Sequence, residues 1–308
     1  MGVQSGEVAQ KLSFKTRLRA WWEGDILSEP KATPAPAAAA QPAAKASRLP
    51  AVPVHPVDRA DIRFPQHVWG DGFAGPGDAA FILKLVNPFA VNSESTLMDF
   101  GASLGGGARA ISEKFGIWIT GFEPDPDLAV AGHEISMRKG MKRAEVKPYS
   151  LQDFAPKAAS FDGVFSHDTL HTLPGKEKLL GTFVNCLKPR GHIAITDFVV
   201  APGISAGDER LAKFTGRAGQ LSHFWSDQQY QAQLSALKFD IRIDEDITAS
   251  YRSMIIEGWV NFTESGGSRS AAKEFPDEMV AEADFWTRRT AAIDSGIIQL
   301  RRYHAIKI

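Results

Sequence analysis

At 308 residues, with 44% hydrophobic and 23% charged side chains, the chain can bury a full α/β core and is too short for two large catalytic domains. A formal net charge of -1 lacks the basic excess of a nucleic-acid-binding surface, so nucleic acid is not expected as a partner. The single cysteine, Cys186, excludes an intrachain disulfide and leaves no partner for a cysteine-based zinc site; no metal is expected, and the setting expected is cytoplasmic.

Residues 1–29 form a first segment. Between Lys11 and Leu27, the apolar Leu12, Phe14, Leu18, Trp21, Trp22 and Ile26 are interleaved with Lys11, Lys15, Arg17 and Arg19, a pattern that fits a basic amphipathic helix. Such a helix either docks on a partner protein or a membrane surface, as a peripheral association, or folds back on its own domain. No continuous apolar core marks a secretory signal or a membrane span over Met1–Leu18. Residues 30–57 are rich in proline and alanine, bury too little apolar surface to offset the entropy of ordering, and read as a disordered, extended linker.

Residues 58–308 read as the main domain. Short β-type runs recur at Thr96–Phe100, Ile117–Phe122, Glu145–Tyr149, Gly163–Ser166, His192–Phe198, Phe239–Ile243 and Tyr303–Ile308, with helices between them, notably Gly106–Lys114, Asp127–Lys139 and Lys176–Leu187. This alternation predicts a Rossmann-like α/β fold: a doubly wound, seven-stranded, mostly parallel sheet with helices on both faces. Ligands on such sheets bind at the carboxyl ends of the strands.

One strand runs into a glycine-rich turn and then a helix at Leu97-Met98-Asp99-Phe100-Gly101-Ala102-Ser103-Leu104-Gly105-Gly106-Gly107, and the next strand ends in Gly121-Phe122-Glu123. Glycines let a backbone approach a ligand closely, and a strand-end carboxylate can accept both hydroxyls of a ribose; its alternative is a solvated strand end. A dinucleotide fingerprint wants a glycine where Ser103 stands. Gly101-Ala102-Ser103-Leu104-Gly105 matches a nucleophile elbow, with His304 as a conceivable base, but the preceding linker leaves almost no room for the strands that come before such an elbow.

A third reading comes from residues farther along. Phe161-Asp162-Gly163-Val164-Phe165-Ser166-His167-Asp168-Thr169-Leu170-His171 resembles the fourth strand of class I S-adenosylmethionine-dependent methyltransferases, and Leu187-Lys188-Pro189-Arg190-Gly191-His192-Ile193-Ala194-Ile195-Thr196-Asp197 resembles their turn and fifth strand. From about Trp69 onward the chain is similar to phosphoethanolamine and related small-amine N-methyltransferases. Trp69-Gly70-Asp71-Gly72-Phe73 resembles their front lid, Leu104–Gly107 and Ser112–Gly116 their first loop and helix, and Trp286, Arg288, Gly296 and Tyr303–Lys307 their tail.

The resemblance implies S-adenosylmethionine as cofactor and a small-molecule methyl acceptor, an amine or phosphobase. It implies cofactor contacts from Asp99, Gly101, Ser103, Gly105, Glu123, Ser150, Leu151 and Ser166, and a substrate cap inserted over about residues 200–226. Asp99 reads chiefly as a support of the glycine turn. His171 is the candidate base, since an imidazole titrates near neutral pH, with a hydrogen-bonded helix-start residue as its alternative; Asp168 would position substrate or cofactor. Trp69, Phe73, Trp225 and Trp286 offer either an aromatic wall for a cationic amine or ordinary packing. The chain departs from the family at Ser103, at Ser150 where an acid is usual, at Thr172 where the family histidine falls, and in having no tyrosine before Tyr149. These departures motivate the alternative of a catalytically weak or inactive binding protein whose N-terminal helix docks a partner.

Overall fold

The structure, a computed structural model, describes residues 54–308 except 215, 217, 218 and 220. The amphipathic segment and most of the linker read from the sequence lie outside the described residues.

Two helices precede the sheet, α1 (Ala60–Trp69) and α2 (Ala79–Val86). The second begins where the Asp78 carboxylate accepts the Phe81 N–H, satisfying a donor that the first helical turn leaves open. Then follow β1 (Thr96–Phe100), α3 (Gly106–Phe115), β2 (Trp118–Glu123), α4 (Pro126–Arg138), β3 (Ala144–Pro148), β4 (Phe161–His167), α5 (Lys176–Cys186) and β5 (Leu187–Val200). The remaining elements are β6 (Trp225–Ser226), α6 (Asp227–Ala236), β7 (Phe239–Asp246), α7 (Thr248–Glu264), α8 (Gly267–Glu274), α9 (Pro276–Asp294) and β8 (Ile298–Lys307). No described helix is long and apolar enough to cross a membrane.

The main sheet path is β3-β2-β1-β4-β5-β8-β7. β8 runs antiparallel to both of its neighbours, and the other pairings are parallel. This is the seven-stranded, mostly parallel sheet that the sequence predicts, with one addition: the two-residue β6 pairs with the end of β5, off that path. The last strand starts five residues earlier than expected, because Arg301 and Arg302 break the apolar pattern. Both are accommodated by ion pairs to Asp244 and Glu245 on β7.

Strand alternation sends side chains to two cores. Leu97 packs with Ile111 of α3 and with Ile82 and Leu85 of α2, whereas Met98 and Phe100 pack with Leu180 and Phe183 of α5. Each such residue, fully buried, stabilises the fold by roughly 2–3 kcal/mol before the entropy of ordering is subtracted. A third cluster joins Phe64 and Trp69 of α1, Tyr251 and Trp259 of α7, and Phe285 and Trp286 of α9 to Phe198 near the end of β5. The winding direction reverses between β1 and β4, and the carboxyl ends of these strands open the crevice that holds the site.

Candidate active site

A cavity of about 620 Å³ lies at this switch point. Its first wall is built mostly of backbone. After β1 the chain turns through Gly101 (φ 82°), Ser103 (φ 49°) and Gly105 (φ 73°), left-handed conformations that glycine adopts freely and serine only under constraint. At Gly101 the constraint is spatial as well, since a Cβ there would lie 2.0 Å from Thr169 Oγ1. The Ser103 N–H donates to Glu123 Oε2 at 2.7 Å, and the Asp125 N–H donates to Oε1 at 3.1 Å. Glu123, the last residue of β2, is thereby fixed facing the cavity.

Two buried carboxyls meet on this wall. Burial, together with the nearby Glu123 charge, pushes Asp99 up to about 8, and burial pushes Glu123 up to about 7. Both are therefore poised to ionise when a cationic ligand arrives.

The second wall comes from distant segments. Asp168, in a left-handed conformation (φ 53°) just after β4, accepts a hydrogen bond from Tyr251 Oη of α7 at 2.5 Å. Its other oxygen is buried without a hydrogen-bond partner among the described residues. His171, 1% exposed, is held by Asp197 of β5, whose Oδ1 accepts the His171 backbone N–H and ring Nδ1–H, each at 2.9 Å. Arg289 Nη1 of α9 lies 3.4 Å from the other ring nitrogen, Nε2. The guanidinium sits 4.2 Å from the ring centres of both Phe214 and Phe285, a buried cation among π faces. His167 bridges Thr196 Oγ1 (2.6 Å) and the Pro76 carbonyl (2.8 Å). A carbonyl only accepts, so Nε2 carries the proton and the ring ties β4 to the segment before α2.

Of the residues read from the sequence, Asp99, Gly101, Ser103, Glu123, Asp168 and His171 all line this cavity. Gly105 does not line it; it holds the turn from which Gly106 and Gly107 face inward. Ser166 is buried and donates to the Phe100 carbonyl, tying β4 to β1. Ser150 is exposed and bonds Gln152, and Leu151 packs into the core beneath α5; neither lines the cavity. Among the aromatic candidates, Phe73 and Trp286 line it, whereas Trp69 and Trp225 do not. Trp69 packs edge-on against Trp286, and both indole N–H groups donate to the buried Glu282. His304, the conceivable base of a nucleophile elbow, is bonded to His192 within the sheet.

Arg289, Phe285 and His167 were not singled out from the sequence. For the first two a signal existed: Phe285, Trp286 and Arg289 at i, i+1 and i+4 share one helical face.

Residues 78–242 match the protein family described as a methyltransferase domain. The chain is 28% identical over 196 residues to phosphoethanolamine N-methyltransferase 2 of Caenorhabditis elegans, a match covering 62% of this chain and 43% of that protein. It is 25% identical over 191 residues to phosphoethanolamine N-methyltransferase 1 of Zea mays, covering 62% and 37%. The chain thus spans less than half the length of these two relatives. Among solved structures, phosphoethanolamine N-methyltransferase 2 of Haemonchus contortus, in complex with phosphomonomethylethanolamine and S-adenosylhomocysteine, superposes with a TM-score of 0.70 at 20% identity, over 80% of this chain and 57% of that one. A putative sarcosine dimethylglycine methyltransferase from Galdieria sulphuraria gives 0.65 at 20% identity, over 81% and 98%. None of these supports the reading as a catalytically inactive scaffold.

Proposed function

Because this chain belongs to the methyltransferase-domain family, as a class I S-adenosylmethionine-dependent enzyme, we propose that it methylates the nitrogen of a small amine that also carries an anionic group, a phosphobase being the acceptor class. The observation that carries this reading is the meeting of a base and a cation on the acceptor wall: His171 Nε2 and the Arg289 guanidinium, 3.4 Å apart, in the same cavity as the glycine turn and Glu123.

The first wall fits the cofactor. A volume of about 620 Å³ is that of a small-molecule site. Among the described residues, each Glu123 oxygen accepts one backbone N–H, which leaves lone pairs for two vicinal ribose hydroxyls. Asp99 Oδ2 lies beside the glycine turn, 3.7 Å from where a Cβ at Gly107 would stand. When bound, the cofactor supplies a methyl group already activated by the positive sulfur.

What remains for the protein is alignment, exclusion of water and removal of a proton. An ammonium has no lone pair to attack with, and His171 Nε2 is the group placed to take its proton. Arg289 binds the acceptor's anionic end through charge-assisted hydrogen bonds. This also draws guanidinium donors away from Nε2 and frees the base. Asp168 offers its unbonded oxygen to the ammonium, and Phe285 and Trp286 exclude water.

Calorimetry of S-adenosylmethionine and S-adenosylhomocysteine binding to the wild type and Glu123→Ala, followed by methyl-transfer assays with phosphoethanolamine and with ethanolamine, tests the reading. Binding lost in the variant and turnover of the phosphorylated amine alone are expected. Equal turnover of both amines would remove the anionic requirement, and no cofactor binding would remove the enzyme reading.

A further inference from the structure

We propose that Asp197, braced by Tyr230, is a positioning residue that fixes the proton of His171 on Nδ1 and thereby keeps Nε2 available to the acceptor. This rests on the reading of His171 as the base and adds to it two residues behind the cavity, neither of which lines it.

Asp197 is 0% exposed. A carboxylate in such a place is tolerated only if its lone pairs are filled, and three donors fill them: the His171 backbone N–H (2.9 Å) and ring Nδ1–H (2.9 Å) on Oδ1, and Tyr230 Oη (2.5 Å) on Oδ2. A carboxylate that only capped the turn at residues 170–172 would need the backbone contact alone. The ring contact goes beyond that, because an ionised carboxylate only accepts, so Nδ1 must carry the hydrogen and the lone pair must lie on Nε2. Tyr230 cannot yield its own proton to the pair, since burial first, and the Asp197 charge next, hold its hydroxyl far above the ordinary phenol range. The ring plane is gripped as well: Phe224 stacks on it at 6.1 Å and 15°, and Phe198 and Phe214 meet it edge-on.

The proton inventory is short. As the acceptor nitrogen sheds its N–H, that proton passes to Nε2, and the nitrogen's freed electron pair would form the bond to the methyl carbon as the methyl–sulfur bond breaks, its electron pair remaining on the now neutral sulfur. The resulting imidazolium is faced through Nδ1 by the Asp197 carboxylate; the proton leaves to water when product departs. Among the described residues, the charged and titratable groups around His171 are Asp168 beside it on the same turn, with Tyr251 of α7 behind, Asp197 of β5, Tyr230 of α6, Arg289 of α9, Lys176 of α5 and His223. Lys176 is buried, donates to the His223 carbonyl, and lies within electrostatic reach of Asp197; the His223 N–H in turn donates to the His171 carbonyl at 2.5 Å.

Two readouts on the 308-residue chain test this. Nitrogen-15 spectra of histidine-labelled protein, with His171→Gln to assign the signal, report the tautomer with no acceptor present. The wild type is expected to show Nδ1–H, and Asp197→Asn to lose it, because an amide can present an N–H to the ring. Steady-state kinetics with phosphoethanolamine should then show kcat lower by about 10³-fold or more in Asp197→Asn, with S-adenosylmethionine affinity unchanged. Tyr230→Phe, a milder change, should lower kcat several-fold and move the acidic limb of kcat/KM to higher pH, since an Asp197 relieved of one donor holds the imidazolium more strongly.

An Nε2–H ring in the wild type, or an Asp197→Asn enzyme within threefold of wild type, overturns the proposal. If Asp197→Asn does not fold, Tyr230→Phe decides, and a pH profile superimposable on the wild type overturns it. An Nδ1–H tautomer that depends on Asp197, in a protein that methylates neither amine, supports the positioning role while overturning the acceptor reading.

Discussion

The two walls of the cavity are built in different ways. The wall proposed for the cofactor comes from 25 consecutive residues, Asp99–Glu123, and its geometry is mostly main chain: left-handed positions at Gly101, Ser103 and Gly105 in the turn, and a Ser103 N–H held by the carboxylate that closes the segment. The acceptor wall joins a turn at residues 168–171, a strand residue at 197, a hydroxyl on α7 and a guanidinium on α9, and its geometry is mostly side chain. A backbone-built wall depends on where a Cβ fits, and a side-chain wall on which charges face each other. On the proposed reading, the first recognises one invariant ligand, whereas the second can change its ligand through single substitutions without disturbing the sheet.

The sharpest way to separate the walls is Arg289→Met, which keeps the apolar length and removes the charge. For a phosphorylated amine, kcat/KM is expected to fall about 10²–10³-fold, as when one partner of a buried charge-assisted pair is lost. S-adenosylmethionine affinity should stay within twofold, because no cofactor-wall residue bonds Arg289 in the contacts described. Calorimetry beside steady-state kinetics checks both halves. A parallel loss of cofactor affinity would show that the walls are one unit.

Next in size is Glu123→Gln, expected to weaken S-adenosylmethionine binding about 10- to 100-fold and to reduce its pH dependence to the part that Asp99 contributes. In the wild type, Glu123 near 7 and Asp99 near 8 must ionise to face a cationic ligand, so affinity should rise from pH 6 to 8.5. Stability without ligand should run the other way. Both folded values are raised above those of the unfolded chain, so their contribution is fully present below about pH 4 and is lost as pH rises through 7 to 8. Urea melts should show the wild type more stable at pH 5 than at pH 8 by several kcal/mol, and Asp99→Asn/Glu123→Gln should show a smaller difference. A flat wild-type profile would mean that these carboxyls are ionised even without cofactor.

The same contrast explains what was legible in the sequence. Asp99, Gly101, Ser103 and Glu123 announce themselves because strand, turn and strand-end carboxylate are consecutive, and the site they predict lines the cavity. Asp168 and His171 were legible because they follow a strand. Arg289 was not, because its meaning depends on α9 reaching His171 in the turn after β4, a contact 118 residues distant along the chain and without a period of its own. Ser150 and Leu151 were placed by aligning the chain with the family it resembles. The backbone instead turns at residues 151–153, leaving Ser150 on the surface and Leu151 against the core. Side-chain walls are read poorly from sequence because burial, not spacing, selects their members.

The smallest expected effect tests whether the cofactor wall really is a matter of backbone. Ser103 holds φ 49°, a conformation that costs a residue with a Cβ about 1 kcal/mol or more, and what it contributes to the site is its N–H, bonded to Glu123 at 2.7 Å. Ser103→Gly removes the strain but gives the unfolded chain more freedom, so the net gain should be about 0.5 kcal/mol, or a Tm rise of roughly 1–2 °C. Cofactor affinity should hold or improve slightly, because the N–H that fixes Glu123 is kept. A loss of affinity beyond threefold would show that the serine hydroxyl itself contacts the ligand, which would make this wall, like the other, partly a side-chain site.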